Sequence, residues 1–196
     1  LSELLASGTE NTFSHQLATM AGVTAAQVRR DLMAIGYSGS TKRGYEVSEL
    51  MDSIGEFLDA PKGEGVALVG VGNLGRAILA YFTGRRPHLS IIAAFDNDPH
   101  KVNRVIHGCP VYRIEDAAKV IQEHDIRVAV ITAPAGEAQG ITDTLVRAGV
   151  RGILNFAPIP LRAPQHVYIE GIDMTMSLEK VAYFARTGAV RKEVEA

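Results

Sequence analysis

Four stretches of this chain are apolar without alternation: VALVG (Val66–Gly70), LSIIAAFD (Leu89–Asp96), VAVITAP (Val128–Pro134) and GILNFAP (Gly152–Pro158). Unbroken runs of this kind suit strands covered on both faces, as in a parallel sheet between layers of helices. Between them, apolar positions recur with helical spacing over Leu74–Phe82, Ile114–Glu123 and Glu137–Ala148, which predicts three helices. Strand and helix alternate, so the pattern predicts an α/β fold built on a doubly wound parallel sheet. His166–Ile169 is a last candidate strand, and about 27 residues follow it.

Upstream of Val66 the pattern is different. Phe13–Val47 reads FSHQLATMAGVTAAQVRRDLMAIGYSGSTKRGYEV. Ser14 is a candidate N-cap for a helix with Leu17, Ala18 and Ala21 on one face. Gly22 and Val23 break it, and Thr24 caps a second helix with Val28, Leu32 and Ile35 turned inward. Two short helices joined by a glycine-containing turn make a helix-turn-helix. Ala25, Gln27, Arg29 and Arg30 lie near the start and along the outer side of the second helix, the part that enters the major groove in this motif. Glutamine pairs with adenine, arginine with guanine or phosphate, and alanine permits close approach.

Tyr37–Val47 reads as two strand-like pieces around SGSTKRG, a tight hairpin tipped by Lys42, Arg43 and Gly44 like the wing of a winged helix. Such a tip suits phosphates or a narrow minor groove. The competing reading is a small helical cap whose Arg29 and Arg30 form a solvated face. Asp59–Gly65 (DAPKGEG) breaks the last helix before the sheet pattern begins. The expected organisation is therefore residues 1–60 as a DNA-binding winged helix, 61–175 as the sheet domain, and 176–196 as a C-terminal helix.

Charge sharpens the N-terminal reading. The whole chain balances 20 basic against 22 acidic side chains, so its net charge of −2 argues for no particular partner. Yet Arg29, Arg30, Lys42 and Arg43 are the only basic side chains in residues 1–60, and they fall on the proposed recognition helix and wing. The acidic ones, Asp31 and Glu46 apart, lie outside that span. No apolar run approaches the ~18 residues of a membrane helix, and no signal-peptide pattern appears. Cys109 is the single cysteine and has no internal partner, which fits a reducing cytoplasm. The first residue is Leu1 rather than Met, so a processed or truncated start is expected.

Candidate chemistry concentrates in GVGNLG, Gly70–Gly75, at the junction of a predicted strand and helix. Gly70 permits a tight turn, Gly72 a close backbone approach to a pyrophosphate, and Gly75 close packing of helix on strand. Val71, Asn73 and Leu74 complete the turn, and the helix start supplies N–H donors and a positive dipole end. Asp96 closes the next strand about twenty residues on, where its carboxylate accepts from adenosine ribose hydroxyls and repels a 2′-phosphate. That combination selects NAD(H) over NADP(H). The alternative is a turn whose glycines serve packing, with Asp96 as a helix cap. Thr132-Ala133-Pro134 and Asn155-Phe156-Ala157-Pro158 end two further strands, where they flank either a nicotinamide or nothing at all.

A dehydrogenase would need a proton donor or acceptor beside the hydride and a substrate domain. None of the histidines sits on a strand end near the expected nicotinamide, and the tail has no room for a second domain. His107 and Cys109 are two apart but lack further ligands nearby, so no metal and no catalytic residue is assigned.

These segments together resemble the Rex family of bacterial redox-sensing transcriptional repressors. VTAAQVRRDL resembles that family's recognition helix and GYSGSTKRGYEV its wing. GVGNLG with FDNDPHKV resembles its coenzyme segment, and RGILNFAPIPL its nicotinamide-side loop. The resemblance implies an N-terminal winged helix-turn-helix, a Rossmann-type domain binding NAD(H), and a C-terminal helix exchanged between two subunits of a homodimer. It implies no enzyme but a repressor bound to an inverted-repeat DNA operator and released when NADH, preferred over NAD⁺, is abundant. Carried over by position, Lys101 lies near the ribose or adenine, and Asp173 of EGIDMTMSLEKVAYF reaches the other subunit and senses the ring. Met174 follows it where family members often have an aromatic residue. Ser177 is the expected cap of the last helix, with Val181, Ala182 and Ala185 on one stripe. The alternative class is an NAD-dependent oxidoreductase or a CoA-binding module with a helical N-terminal cap.

Overall fold

The computed structural model describes residues 1–40, 42–58, 63–85 and 88–187. Thr41 of the expected wing, residues 59–62 of the expected linker and the tail from 188 lie outside the described residues. The chain divides into two compact units, Leu1–Pro61 with Phe184–Ala196, and Lys62–Tyr183.

In the first unit, α1 (Ser2–Ala6), α2 (Ser14–Ala21), α3 (Ala25–Ala34) and α4 (Val47–Leu58) accompany two short strands, β1 (Asn11–Thr12) and β2 (Tyr45–Glu46). Ala18, Val28, Leu32, Tyr45 and Leu50 form its buried cluster with Leu17 and Ile35 packed at its edge. These inward positions read from helical spacing therefore meet in one core, whereas Ala21, at the end of α2, is exposed. Gly22 ends α2 at φ 66°, a left-handed conformation glycine adopts without penalty. Thr24 then caps α3, its Oγ1 accepting from the N–H of Gln27 at 3.2 Å.

Two local expectations change. Ser14 is the first residue of α2 rather than its cap; the Gln16 Oε1 reaches back to accept from the N–H of Phe13 at 2.9 Å. The wing's second strand, Tyr45–Glu46, pairs antiparallel with Asn11–Thr12, not with the segment after Tyr37. The N-terminal segment outcompetes the hairpin partner because this pairing buries Thr12 and Tyr45 together.

The second unit is a seven-stranded sheet of order β5-β6-β4-β3-β7-β8-β9. Its strands are β3 (Glu64–Val69), β4 (Leu89–Asp96), β5 (Arg104–Ile106), β6 (Cys109–Arg113), β7 (Val128–Ile131), β8 (Gly152–Asn155) and β9 (Tyr168–Gly171). All pairs are parallel except β5 with β6. Helices α5 (Asn73–Phe82), α6 (Ala117–Glu123) and α7 (Ala135–Ala148) form the crossovers, and a single 3₁₀ turn, Ile114–Asp116, leads into α6. Without β5, the strands stand in the order 3-2-1-4-5-6 of a Rossmann sheet, with the reversal between β3 and β7. Phe95, Leu68, Ile131 and Val111 are fully buried, as unbroken apolar strands covered on both faces require.

The β5–β6 hairpin is not among the elements the sequence pattern predicts. Its connection, His107-Gly108, carries φ of 48° and 79°, the left-handed pair of a two-residue hairpin turn. Helix α8 (Met174–Thr187) starts earlier than expected. Asp173, not Ser177, caps it: its Oδ1 accepts from the N–H of Met176 at 2.8 Å, while the Ser177 hydroxyl donates to the Asp173 carbonyl at 2.7 Å.

Candidate functional site

The reversal of strand order leaves a cleft beyond the carboxyl ends of β3 and β7, where ligands of open α/β sheets bind. There a cavity of about 500 Å³ is lined by Gly70, Gly72, Asp96, Lys101 and the Thr132–Pro134 strand end, among others. Gly70 leaves β3 at φ 96° with its N–H bonded to the Phe95 carbonyl at 2.8 Å. A Cβ on it would lie 2.9 Å from the backbone carbon of Thr132, so the turn and the neighbouring strand end approach as only glycine allows. The Thr132 hydroxyl locks this approach by donating to the Gly70 carbonyl at 2.6 Å. Gly75 packs against the same carbonyl, and Gly72, at the N-cap of α5, faces open space. Asn73, Leu74 and Gly75 open α5, so their N–H groups lack intrahelical acceptors, the arrangement that suits an anion, and the approach is unobstructed at Gly72.

Asp96 is held by three donors. Its Oδ2 accepts from the N–H of Val71 at 2.7 Å and from Lys101 Nζ at 3.2 Å, and its Oδ1 from the N–H of Asp98 at 2.8 Å. A carboxylate has about four acceptor positions, so capacity for a hydroxyl donor remains. Lys101 is shared with Asp98 at 3.6 Å. The N–H of Val71 is spent on Asp96, and its side chain is buried, so this residue serves the site by fixing the carboxylate.

Burial alone would raise the Asp96 carboxyl; the two backbone N–H groups and the Lys101 ammonium outweigh it and bring the group below its ordinary 3.8. A depressed carboxyl adds stability that is fully present above the ordinary value and is lost as pH falls through the depressed one. Asp96→Asn is therefore expected to be destabilised by a constant amount from pH 7 to about pH 5, the deficit closing only below about pH 4. Denaturant unfolding of both proteins across that range measures this; a deficit that is the same at pH 3 contradicts it.

The other expected coenzyme residues do not all gather in one place. Thr132, Ala133 and Pro134 line the Asp96 cavity, whereas Asn155, Ala157, Pro158 and Asp173 line a second one of about 370 Å³. Phe156 lines neither and packs against the buried cluster of Val66, Leu68 and Val71. The amide of Asn155 is buried and fully engaged: it accepts from the N–H of Ala157 and donates to the carbonyls of Ala157 and Ile159. Asn155 thus shapes the loop. Met174 is 63% exposed in the single chain. Sequence reasoning did not single out Asn97, although it lies within FDNDPHKV, and missed Ile114, Glu137 and Ile141 of the first cavity, which come from a 3₁₀ turn and a helix that no motif marks.

In the first unit the outer side of α3 presents Gln27, Arg29 and Arg30. Gln27 Nε2 donates to Asp31 at 2.6 Å, Arg30 donates to the Gln27 Oε1 at 3.0 Å, and Arg29 donates to Ser14 Oγ at 3.1 Å. Ser40 and Gly44 exchange two backbone hydrogen bonds of 2.7 Å each, closing the base of the wing. Gly44, at φ 74°, has no room for a Cβ against the Thr12 carbonyl. Lys42 and Arg43 are exposed, and among the described residues neither makes an ion pair.

No group of three or more His, Cys, Asp or Glu that could hold a metal occurs among the described residues. Cys109 is buried in β6, and burial pushes its thiol up to about 11, which leaves it unreactive. No described helix is long and apolar enough to cross a membrane.

Fold and sites together define a two-part protein: a helix-turn-helix unit beside a Rossmann unit with a dinucleotide-type turn. Residues 62–159 match the family described as "CoA binding domain", and residues 1–32 the family described as "Putative DNA-binding protein N-terminus". The redox-sensing transcriptional repressor Rex of Listeria welshimeri is 38% identical over 187 residues, 95% of this chain and 87% of that protein. RSP, a Rex-family repressor, is similar throughout. Its complex with β-NAD⁺ and operator DNA has a TM-score of 0.83 at 32% identity, covering 95% of this chain and 86% of that one. Its complex with β-NADH has a TM-score of 0.82 at 32% identity, covering 95% and 87%. The chain belongs to the Rex family of redox-sensing transcriptional repressors.

Proposed function

We propose that this protein is a homodimeric repressor that binds an inverted-repeat operator and leaves it when NADH occupies its Rossmann units. The observation that carries this reading is the likeness over 95% of the chain to RSP bound to both β-NAD⁺ and operator DNA. In the proposed assignment residues 1–60 bind DNA, 61–175 hold the coenzyme, and 176–196 join two subunits in the cytoplasm. Thr24, Ala25, Gln27, Arg29 and Arg30 face the major groove, and Lys42 and Arg43 the flanking backbone, with the buried Gly44 shaping the base of the wing rather than touching DNA. Gly70–Gly75 cradle the pyrophosphate, Asp96 and Lys101 the adenosine ribose, and Thr132–Pro134 with Ala157 and Pro158 the remainder, Asn155 and Phe156 holding that last loop in shape and Asp173 acting toward the partner.

Support for the dimer comes from α8. None of its residues is buried, and Met174, Met176, Leu178 and Val181 are each 63–70% exposed. A 14-residue helix with no buried face has little stability of its own, so a second copy is the natural cover. Two half-sites also require two recognition helices at fixed spacing.

The bound coenzyme supplies a nicotinamide ring that is cationic when oxidised and neutral when reduced. Ala157, Pro158 and Ile159 offer it apolar surroundings, which disfavour an uncompensated cation. With the Asp173 carboxylate of the same cavity turned toward α8 and the partner, the proposed preference is for NADH. Release then requires that NADH bind more tightly to the dimer arrangement that cannot span the operator. A coupling of ~3 kcal/mol would change DNA affinity on the order of a hundredfold. The match to the family described as "CoA binding domain" favours a second reading, a CoA-type nucleotide. Asp96 opposes it, because its carboxylate faces the region where a ribose phosphate would sit.

Anisotropy of a labelled inverted-repeat duplex, titrated with protein at two salt concentrations and then with NADH or NAD⁺, tests the proposal. Salt-sensitive binding reversed by NADH much more than by NAD⁺ is expected. Equal effects of the two coenzymes would overturn the sensing mechanism.

A further inference from the structure

We infer that Glu137 reads the exocyclic amine of the coenzyme's adenine and so sets selectivity for adenine over hypoxanthine dinucleotides; this rests on the coenzyme reading above. Of the polar side chains on the first cavity, three are already committed, and a fourth, Asn97, has no side-chain hydrogen bond among the described residues but carries an amide that can donate or accept and so does not separate the two bases. Asp96 accepts from Val71, Asp98 and Lys101, Lys101 is held between Asp96 and Asp98, and Thr132 donates to Gly70. Glu137 lines the same cavity, is exposed, and among the described residues its carboxylate has no hydrogen bond or ion pair.

The parts of a dinucleotide can be assigned to this cavity by elimination. Phosphates belong at the start of α5, beside Gly72, and a carboxylate would repel them. Ribose hydroxyls belong to Asp96. What remains is the base, and Val69, Phe95, Ile114 and Ile141 supply the apolar walls that a planar ring needs. An ionised carboxylate only accepts hydrogen bonds, and the exocyclic amine is the donor that adenine presents on its edge. Hypoxanthine carries a carbonyl oxygen there, which would face Glu137 acceptor to acceptor, and its N1–H donor lies one ring position away from the place of the amine. A site built to hydrogen-bond one group rejects the analogue lacking it.

Glu137 also stands in the first turn of α7, where any acid is favoured by the helix dipole. That role would be indifferent to the base, so base selectivity separates the two. The test is a titration of the full chain with NADH and with its hypoxanthine analogue, followed by nicotinamide emission, which no tryptophan obscures because the chain has none. NADH is expected to bind about tenfold more tightly than the analogue, the low end for a hydrogen bond to a charged group because Glu137 is exposed. In Glu137→Gln, whose amide can donate or accept, the ratio is expected to fall to within about twofold. In Glu137→Ala the ratio also falls, through weaker NADH binding. An unchanged ratio in both variants, with NADH still bound, overturns the inference and leaves Glu137 a helix-terminal acid. Failure of the wild-type chain to bind NADH at all overturns the coenzyme reading itself, and the inference with it.

Discussion

Gly72→Val is expected to abolish coenzyme binding and leave the fold's stability intact, whereas Gly75→Val loses binding and destabilises the fold as well. At Gly72 φ is −79°, a value any residue adopts, and a Cβ would meet no atom of the protein within 4 Å. The added side chain instead occupies the space into which the turn's N–H groups point. An affinity loss of at least about a hundredfold, or ~2.7 kcal/mol, follows if the pyrophosphate lies there. At Gly75 the Cβ is driven into the Gly70 carbonyl and lies 3.0 Å from Thr132 Oγ1. Neither is a flexible side-chain end, so the turn must separate from β7. Overpacking of this kind costs about 3 kcal/mol and breaks the Thr132–Gly70 hydrogen bond. NADH emission read beside denaturant unfolding distinguishes the two variants. If Gly72→Val binds NADH as tightly as the wild type, no phosphate lies at this turn and the site is misassigned.

The same turn shows why this part of the site was legible in the sequence. GVGNLG works through backbone, and backbone demands are written directly as glycine at fixed offsets. Asp96 was legible because it ends a strand whose register with β3 puts Phe95 beside Val69, which carries the carboxylate to the turn. The side of the cavity formed by Ile114 and Glu137 was not, since those residues arrive from a 3₁₀ turn and the first turn of α7. Only the sheet order brings them to Asp96. The β5–β6 hairpin was missed for a different reason. His107 takes a left-handed conformation usually supplied by Asn, Asp or Gly, so of the two turn positions that divide Arg104–Arg113 only Gly108 carries the expected residue. Asn155 was read by position as a ligand group, and the structure shows its amide engaged within its own loop. The exposed face of α8 is the plainest case: its apolar stripe was visible, but the cover proposed for it, a second copy, is not something one sequence names.

On DNA, the wing and the recognition helix are expected to fail in different ways. Lys42→Ala/Arg43→Ala removes two exposed cations that the Ser40–Gly44 pairing holds at the tip. If both neutralise phosphates, the slope of log affinity against log salt becomes shallower by about two per half-site. Binding then weakens alike on operator and on unrelated duplex, while NADH affinity is unchanged. Gln27→Ala should instead leave the salt slope alone and reduce discrimination at one base position, by about 1–3 kcal/mol per half-site. The difference follows from what each group offers: an ammonium or guanidinium on a loop meets the uniform backbone charge, and an amide at the start of α3 meets one base edge. In the free chain that amide is held between Asp31 and Arg30, so pairing with adenine must exchange those contacts. Its net contribution therefore lies toward the lower end of that range. A Gln27→Ala protein that loses affinity equally on every duplex, with a shallower salt slope, would place Gln27 on the backbone and shift base reading to Arg29 or Arg30.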